Sequence, residues 1–165
     1  MSSPSPEGRV PAAGDFAAIV GLLESVELLQ DLEGPALRAL AGHLLLREFK
    51  QDECVFREGE PGDWMGFLVS GAIRIYKSGD VRGDLTIAVE THSRSIGEMA
   101  LIDGEPRSAT CAAAAPSRLL VLTRAQFERL AQAKPLLALE ILLRVARLVS
   151  RRLRLTSGRL VDHLE

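Results

Sequence analysis

Apolar residues between positions 16 and 29 recur every three or four residues. This stripe consists of Phe16, Ile19, Val20, Leu22, Leu23, Val26 and Leu29. Such spacing places the apolar side chains on one face and predicts a helix that ends near residues 30–34. Pro35 suits the first turn of a helix, and we expect a second short helix to begin there.

The apolar pattern changes between residues 43 and 123, where short runs alternate with turn signals. The runs lie at 44–46, 54–56, 67–69, 73–76, 85–90, 107–115 and 119–122. Short runs bounded by glycine and proline are typical of strands, and many of them at close spacing indicate a sandwich or a small barrel. We expect Gly59 and Gly71 to serve backbone geometry rather than ligand contact. The segment is therefore predicted to be a β-roll.

Helical spacing returns at about residue 124 and continues to about residue 160. One helix is predicted over 126–133, and Pro135 opens a longer one. In the longer helix a stripe recurs by four and three, formed by Leu142, Ala146, Val149, Leu153, Thr156 and Leu160. Two interpretations stay open: the helix packs on its own β-domain, or it pairs with a second copy of the chain. Thr156 bears on this choice because a hydroxyl in an apolar seam needs a partner.

Composition narrows the class of protein. The length of 165 residues suits one domain, predicted over 15–165, and residues 1–14 lack an apolar period and are predicted to be a disordered tail. A net charge of −2 provides no overall basic field for nucleic acid. No apolar run is long enough for a membrane span and no signal pattern opens the chain, so we expect a soluble cytoplasmic protein.

No catalytic set is evident in the sequence. The three histidines are scattered, and Cys54 and Cys111 lie too far apart along the chain for a metal-ligand motif; we expect both thiols to be reduced. Neither a nucleophile–base pair nor paired acids stand together near a glycine-bounded loop. We therefore expect no enzyme activity and no metal or cofactor.

Residues 97–110 carry the chemistry, with the sequence Gly-Glu-Met-Ala-Leu-Ile-Asp-Gly-Glu-Pro-Arg-Ser-Ala-Thr. Gly97 lets a ligand approach the main chain because it has no Cβ. The next residues predict a short helical turn at 99–101, whose unpaired N–H groups attract an anion. Glu98 suits a hydroxyl, while Arg107 and Ser108 supply donors for phosphate oxygens. The stretch thus predicts a binding site for a compact ribose-phosphate.

This string resembles the phosphate-binding cassette of the cyclic nucleotide-binding domain family. The family pattern runs Gly-Glu-x-Ala-Leu, then a few loop residues, then Pro-Arg-Ser/Ala/Thr-Ala-Thr, and every defined position is met here. Segments 58–63 and 67–71 are also similar to the family. The chain departs at Ser93, where the family usually has a glycine, and we expect the tight turn there to be rearranged. The resemblance implies a mainly β fold, a double-stranded β-helix (jelly roll) of eight strands with flanking helices and a long C-terminal helix.

The resemblance also implies roles for individual residues. Glu98 would accept a hydrogen bond from the ribose 2′-hydroxyl, and Arg107 would pair with the cyclic phosphate. Ser108 and main-chain N–H groups at Met99 and Ala100 would assist. The expected ligand-binding residues of the cassette are Gly97, Glu98, Met99, Ala100, Arg107, Ser108 and Ala109.

The string Arg-Arg-Leu-Arg-Leu-Thr-Ser at 151–157 resembles the dimerisation helix of catabolite activator-type members of the family. There the Thr and Ser reach the adenine amino group, one from each subunit. Carried over, Thr156 and Ser157 would contact the base, which favours cAMP over cGMP and implies a homodimer through the C-terminal helix.

Three classes of function are therefore weighed. The first is a regulatory or sensor module that binds a cyclic mononucleotide, cAMP or else cGMP, and transmits ligand state through its C-terminal helices to an effector domain or protein. The second keeps the fold as a degenerate-pocket scaffold or oligomerisation module. The third, an enzyme, lacks the residues noted above. The sequence ends at Glu165 without a helix-turn-helix, so we expect no nucleic-acid contact by that route.

Overall fold

Eight strands form two four-stranded antiparallel sheets in the structure, which is a computed structural model. It describes residues 16–79, 83–91 and 93–162, and the side chains of 157–162 are not included; the predicted tail at 1–14 lies outside this range. The strands are β1 (Leu45–Phe49), β2 (Cys54–Phe56), β3 (Trp64–Ser70), β4 (Ala72–Lys77), β5 (Leu85–Thr91), β6 (Ser95–Ile96), β7 (Thr110–Ala113) and β8 (Ser117–Thr123). Their order is β1-β8-β3-β6 in one sheet and β2-β7-β4-β5 in the other. The predicted jelly roll with flanking helices is confirmed.

Strands β3 and β8 are buried on both faces, which explains their continuous apolar runs. They pair in antiparallel register, with Phe67 opposite Leu120. Phe67 and Leu120 belong to a core cluster shared with the helices, whereas their neighbours Leu68 and Leu119 belong to a second cluster between the sheets. Alternating side chains of these strands therefore enter two cores, and the second core includes Phe56 and Trp64, whose rings lie against Arg107.

In the described part of the chain, five α-helices flank the roll. They are α1 (Phe16–Glu24), α2 (Gly34–Ala41), α3 (Glu98–Asp103), α4 (Arg124–Ala133) and α5 (Pro135–Asp162). The hydroxyl of Thr123 caps α4 by accepting from the Gln126 N–H at 3.2 Å. Pro135 begins α5, as expected.

The first helix is shorter than the periodicity predicts. It ends at Glu24, and the apolar spacing continues through a 3-10 helix at Glu27–Leu29. The hydroxyl of Ser25 donates to the Leu22 carbonyl at 2.7 Å, and the Glu27 N–H donates to the Ser93 carbonyl at 3.0 Å. The Leu22 carbonyl and the Glu27 N–H thus bond to groups outside the hydrogen-bond pattern of a continuous α-helix.

Helix α5 has two different faces. Ala138, Ile141 and Val145 are buried against the domain, as the first interpretation of this helix required. The predicted stripe lies elsewhere: Ala146 and Thr156 are exposed, and 66% of Leu153 is accessible to solvent. The helix therefore packs on its own domain through one face. In the stripe, Leu142 and Val149 are half-buried, and the side chain of Leu160 lies outside the described residues. Within the described part of the chain, no helix is both long and apolar enough to cross a membrane.

Candidate functional site

The cassette begins at Gly97, a backbone position that residues with a side chain cannot adopt without strain. Gly97 has φ 68°, a left-handed conformation, and precedes the first residue of α3. A Cβ at this position would lie 2.5 Å from Arg107 Nη1 and 3.2 Å from the Trp64 carbonyl oxygen. The helix that follows leaves its first-turn N–H groups without intrahelical acceptors, as the sequence indicated.

Arg107 is 5% exposed and lies against two aromatic rings. Its guanidinium carbon lies 4.1 Å from the ring centre of Phe56 and 4.7 Å from that of Trp64. Nη1 donates to the Gly97 carbonyl at 3.2 Å, whereas Nε and Nη2 have no hydrogen-bond partner among the described residues. Burial lowers the pKa of Arg107, yet a guanidinium stays protonated in proteins. The site therefore presents a buried cation with unused donors, which suits an anion.

The turn between β2 and β3 holds Arg107 in place. The Arg107 N–H donates to the Glu60 carbonyl at 2.8 Å, and its own carbonyl accepts from the Gly59 N–H at 2.9 Å. Gly62 packs directly on α3, because a Cβ there would lie 2.5 Å from the Ala100 Cβ. Gly59 itself has φ 80°, in agreement with the backbone role predicted for it.

Glu98 is 4% exposed and is held by a residue of the last helix. Its Oε1 accepts from Arg152 Nη1, while its Oε2 has no partner in the described structure. Burial raises the pKa of Glu98, and the positive charge of Arg152 opposes that rise. One oxygen is therefore fixed and the other is available to a hydroxyl donor.

The remaining cassette residues surround these two charges. Ala100 and Ala109 are buried, whereas Met99 and Ser108 are exposed and lie side by side, with Ser108 Oγ 3.9 Å from Met99 Sδ. The structure thus brings together all seven residues predicted from the cassette.

The structure does not place Thr156 against the cassette. Its side chain is exposed, and its hydroxyl donates to the Arg152 carbonyl at 3.0 Å, one turn earlier in α5. The side chain of Ser157 lies outside the described residues. Both base contacts stay predictions.

The turn before the cassette retains a glycine-like conformation. Ser93 has φ 79°, which is unusual for a residue with a side chain. Its N–H donates to the Leu68 carbonyl at 3.0 Å, and its carbonyl accepts from Glu27. At this departure from the family pattern the serine adopts a backbone conformation that glycine favours, and the rearrangement expected for the turn stays a prediction.

Sequence reasoning missed the aromatic pair at Arg107, the packing of Gly62 and the role of Arg152. The aromatic and glycine residues lie more than 40 positions from Arg107, so no local spacing identifies them. Arg152 lies within the Arg-Arg string singled out above, but that motif assigned no role to it. The two cysteines also come together: Cys54 and Cys111 lie on the paired strands β2 and β7 as free thiols.

The site does not resemble a metal centre. Among residues 16–79, 83–91 and 93–162, no three His, Cys, Asp or Glu side chains are grouped as a metal site would require. The buried groups are instead a cation with free donors and a carboxylate with a free acceptor. Together they are complementary to a small anion that bears a hydroxyl.

Known proteins share both the sequence and this architecture. A solved cyclic nucleotide-binding domain from Methylobacillus flagellatus is 29% identical, with a TM-score of 0.79 over 95% of this chain and 87% of that one. The Thermus thermophilus catabolite activator protein is 28% identical, with a TM-score of 0.71 over 83% of this chain and 62% of that one.

Two curated relatives are a channel and a transcriptional regulator. A cyclic nucleotide-gated potassium channel of Mesorhizobium japonicum is 36% identical over 76% of this chain, which spans only 33% of the channel. A CRP-like cAMP-activated global transcriptional regulator of Mycobacterium tuberculosis is 27% identical over 86% of this chain and 61% of the regulator. The model of the family described as "Cyclic nucleotide-binding domain" matches residues 46–134, and this chain belongs to that family.

Proposed function

We propose that this protein binds a cyclic mononucleotide, cAMP in preference to cGMP, as a regulatory or sensor module. The proposal rests on one observation above all: a buried arginine with two unused donors lies beside a buried glutamate with one unused acceptor. A cyclic phosphate fused to a ribose with a free 2′-hydroxyl satisfies both groups at once.

Each part of the ligand has a proposed partner. The phosphate pairs with Arg107, assisted by Ser108 and the N–H groups of Met99 and Ala100. The ribose 2′-hydroxyl donates to Glu98, and the base lies towards α5, where Thr156 and Ser157 favour adenine. The cAMP-activated regulator among the relatives supports this choice of base.

The output is proposed to travel through α5. This helix contacts the cassette through Arg152, and it leaves Ala146 and Leu153 of the predicted stripe exposed to solvent. We propose that the stripe pairs with a second copy of the chain and that ligand binding changes the position of the helix for an effector domain or protein. The ligand then acts by binding one arrangement of α5 more tightly than another.

Calorimetric titration of cAMP into three variants tests the site. A charge-assisted hydrogen bond is worth roughly 1.5–3 kcal/mol, so Arg107→Ala and Glu98→Gln should each weaken binding by about 10- to 100-fold. Arg118→Ala is the matched control, because Arg118 is an exposed arginine on β8 that pairs only with Glu48 among the described residues. The assignment is wrong if both cassette variants bind cAMP as tightly as the Arg118→Ala protein does. If the unmodified protein binds no cyclic nucleotide, the scaffold interpretation takes its place.

A further inference from the structure

A cavity of about 310 Å³ lies between helix α5, the 3-10 helix at Glu27–Leu29 and the turn that precedes the cassette. Its charged lining consists of five arginines and two acids: Arg94, Arg144, Arg147, Arg151, Arg152, Glu27 and Asp31. None of the seven cassette residues described above lines it. The cavity is therefore separate from the site proposed for the cyclic nucleotide.

Three of the five arginines are already paired with acids. Arg94 Nη1 lies 2.6 Å from Glu27 Oε2. Arg144 Nη2 lies 2.8 Å from Glu140 Oε1. Arg152 bonds to the cassette glutamate, as described above. The charges of these three side chains are therefore balanced by neighbouring carboxylates.

Arg147 and Arg151 differ from the other three. Both are exposed, and neither has a hydrogen bond, an ion pair or a ring contact with any described residue. They lie four residues apart on α5, so they are neighbours on the helix surface and their like charges repel. Among the acids that line the cavity, Asp31 alone has no partner in the described part of the chain. One carboxylate does not neutralise two guanidiniums, so the cavity carries an excess of positive charge.

The wall of the cavity also contains a buried hydroxyl without a partner. Ser95 lines the cavity and is 3% exposed, and its Oγ makes no hydrogen bond with any described residue. A buried hydroxyl group of this kind is unfavourable unless it finds an acceptor. An oxyanion bound in the cavity would bring acceptors to a region that has unused donors.

We propose that this cavity binds two neighbouring phosphate groups of one ligand, through Arg147 and Arg151. Each guanidinium is a planar fork that matches two oxygens of one phosphate group. At a rise of 1.5 Å per residue, the two Cα atoms lie about 6 Å apart along the helix axis, so the two forks suit adjacent phosphates. A soluble diphosphate and a phosphorylated lipid headgroup share this chemistry.

Calorimetric titration of pyrophosphate tests the site. The proteins are the unmodified chain, Arg147→Gln, Arg151→Gln, the double variant and Arg154→Gln. Arg154 is the matched control, because it is an exposed arginine of the same helix that has no described partner and does not line the cavity. Arg107→Ala shows whether pyrophosphate binds at the cassette instead. Thermal melts without ligand check that each variant is folded.

Each single substitution in the cavity should weaken pyrophosphate binding by about tenfold, and the double variant by about 100-fold. Arg154→Gln and Arg107→Ala should stay within about twofold of the unmodified protein. The inference is overturned if the double variant binds pyrophosphate as tightly as Arg154→Gln does. It is also overturned if sulfate binds the unmodified protein as tightly as pyrophosphate, because that result shows only general attraction of anions.

Vesicle sedimentation distinguishes the two sources of phosphate. The vesicles consist of phosphatidylcholine with or without phosphatidylinositol bisphosphate. Binding that requires the phosphorylated lipid and is lost in the double variant assigns the phosphates to a headgroup, whereas pyrophosphate binding alone assigns them to a soluble ligand. If neither pyrophosphate nor the vesicles bind, the inference is wrong. A protein that binds pyrophosphate here but no cyclic nucleotide would overturn the proposed function alone.

Discussion

Arg107 and Glu98 are both buried with part of their hydrogen-bonding capacity unused. Leaving a buried polar group without a partner costs roughly 1–3 kcal/mol, and Arg107 Nε, Arg107 Nη2 and Glu98 Oε2 have no partner among the described residues. A ligand that satisfies the unused atoms removes the cost only when it is bound. For single residues, the affinity that we propose for the site therefore comes from buried groups that are held in place with donors and an acceptor free for a ligand.

The raised pKa of Glu98 predicts a pH dependence of binding. The ionised carboxylate is the form that accepts the ribose hydroxyl, so cAMP affinity should fall as the pH drops through the raised pKa, above the ordinary glutamate value of about 4.3. The groups facing Glu98 are Arg152, Arg107, Glu90 and Cys111. Calorimetry across this pH range measures the change.

The stability of the ligand-free protein should follow the opposite trend in that window. When a carboxyl has a higher pKa in the folded than in the unfolded state, the folded state binds more protons, and the free energy of unfolding contributed by Glu98 falls as the pH rises. Glu98→Gln provides the control, because both dependences should flatten. A cAMP affinity in the unmodified protein that is flat across the window would contradict this assignment.

Ser93 offers a test of backbone strain outside the binding residues. Its left-handed φ of 79° costs about 1–2 kcal/mol for a residue with a side chain, and glycine would remove this cost. Glycine also raises the conformational entropy of the unfolded chain, which offsets part of the stabilisation. Ser93→Gly should therefore raise the free energy of unfolding by about 0.5–1 kcal/mol, measured by urea denaturation. Ser150→Gly, in the middle of α5, should lower it by a similar amount. Destabilisation by Ser93→Gly would show that the serine side chain has a role of its own.

Among the secondary-structure elements, helix α5 both contributes to the core and contacts the cassette. Its first half contributes Ala138, Ile141 and Val145 to the core, so the helix is anchored. Further along, Arg152 reaches the cassette, while Leu153 on the adjacent position faces solvent. The helix is thus anchored in the core, contacts the cassette and exposes Leu153 of the stripe, and these features support the output that we propose for it.

Pairing of α5 with a second copy predicts a specific response to a charge in the stripe. Leu153→Glu should convert a dimer to a monomer in light scattering, because a buried unpaired carboxylate would oppose association. Leu155→Glu is the matched control, since Leu155 is similarly exposed but lies off the stripe. If the unmodified protein is a monomer with and without cAMP, α5 does not pair with a second copy. If both substitutions have equal effects, the helices do not pair through the predicted stripe.

At the scale of the whole molecule, the sequence predicts the roll and the cassette because their signals are local. The strands have short apolar runs, and Glu98 and Arg107 lie within one spaced motif. The supporting contacts could not be predicted in this way, because Trp64 and Arg152 reach the cassette only after the chain folds back over more than 30 residues. The early end of α1 has the same origin, since the Glu27 N–H is used by a distant turn.

Thermal melting of the protein alone and with cAMP, cGMP or AMP shows whether the domain binds a cyclic nucleotide. A ligand at 100 times its dissociation constant stabilises the fold by roughly 2.7 kcal/mol, which corresponds to about 5–10 °C for a domain of this size. We expect this shift with cAMP, a smaller one with cGMP at the same concentration, and none with AMP, whose phosphate is not closed into a ring. Identical melting curves in all four samples at about 100 μM nucleotide, 100 times a micromolar dissociation constant, would overturn the proposed cyclic-nucleotide binding.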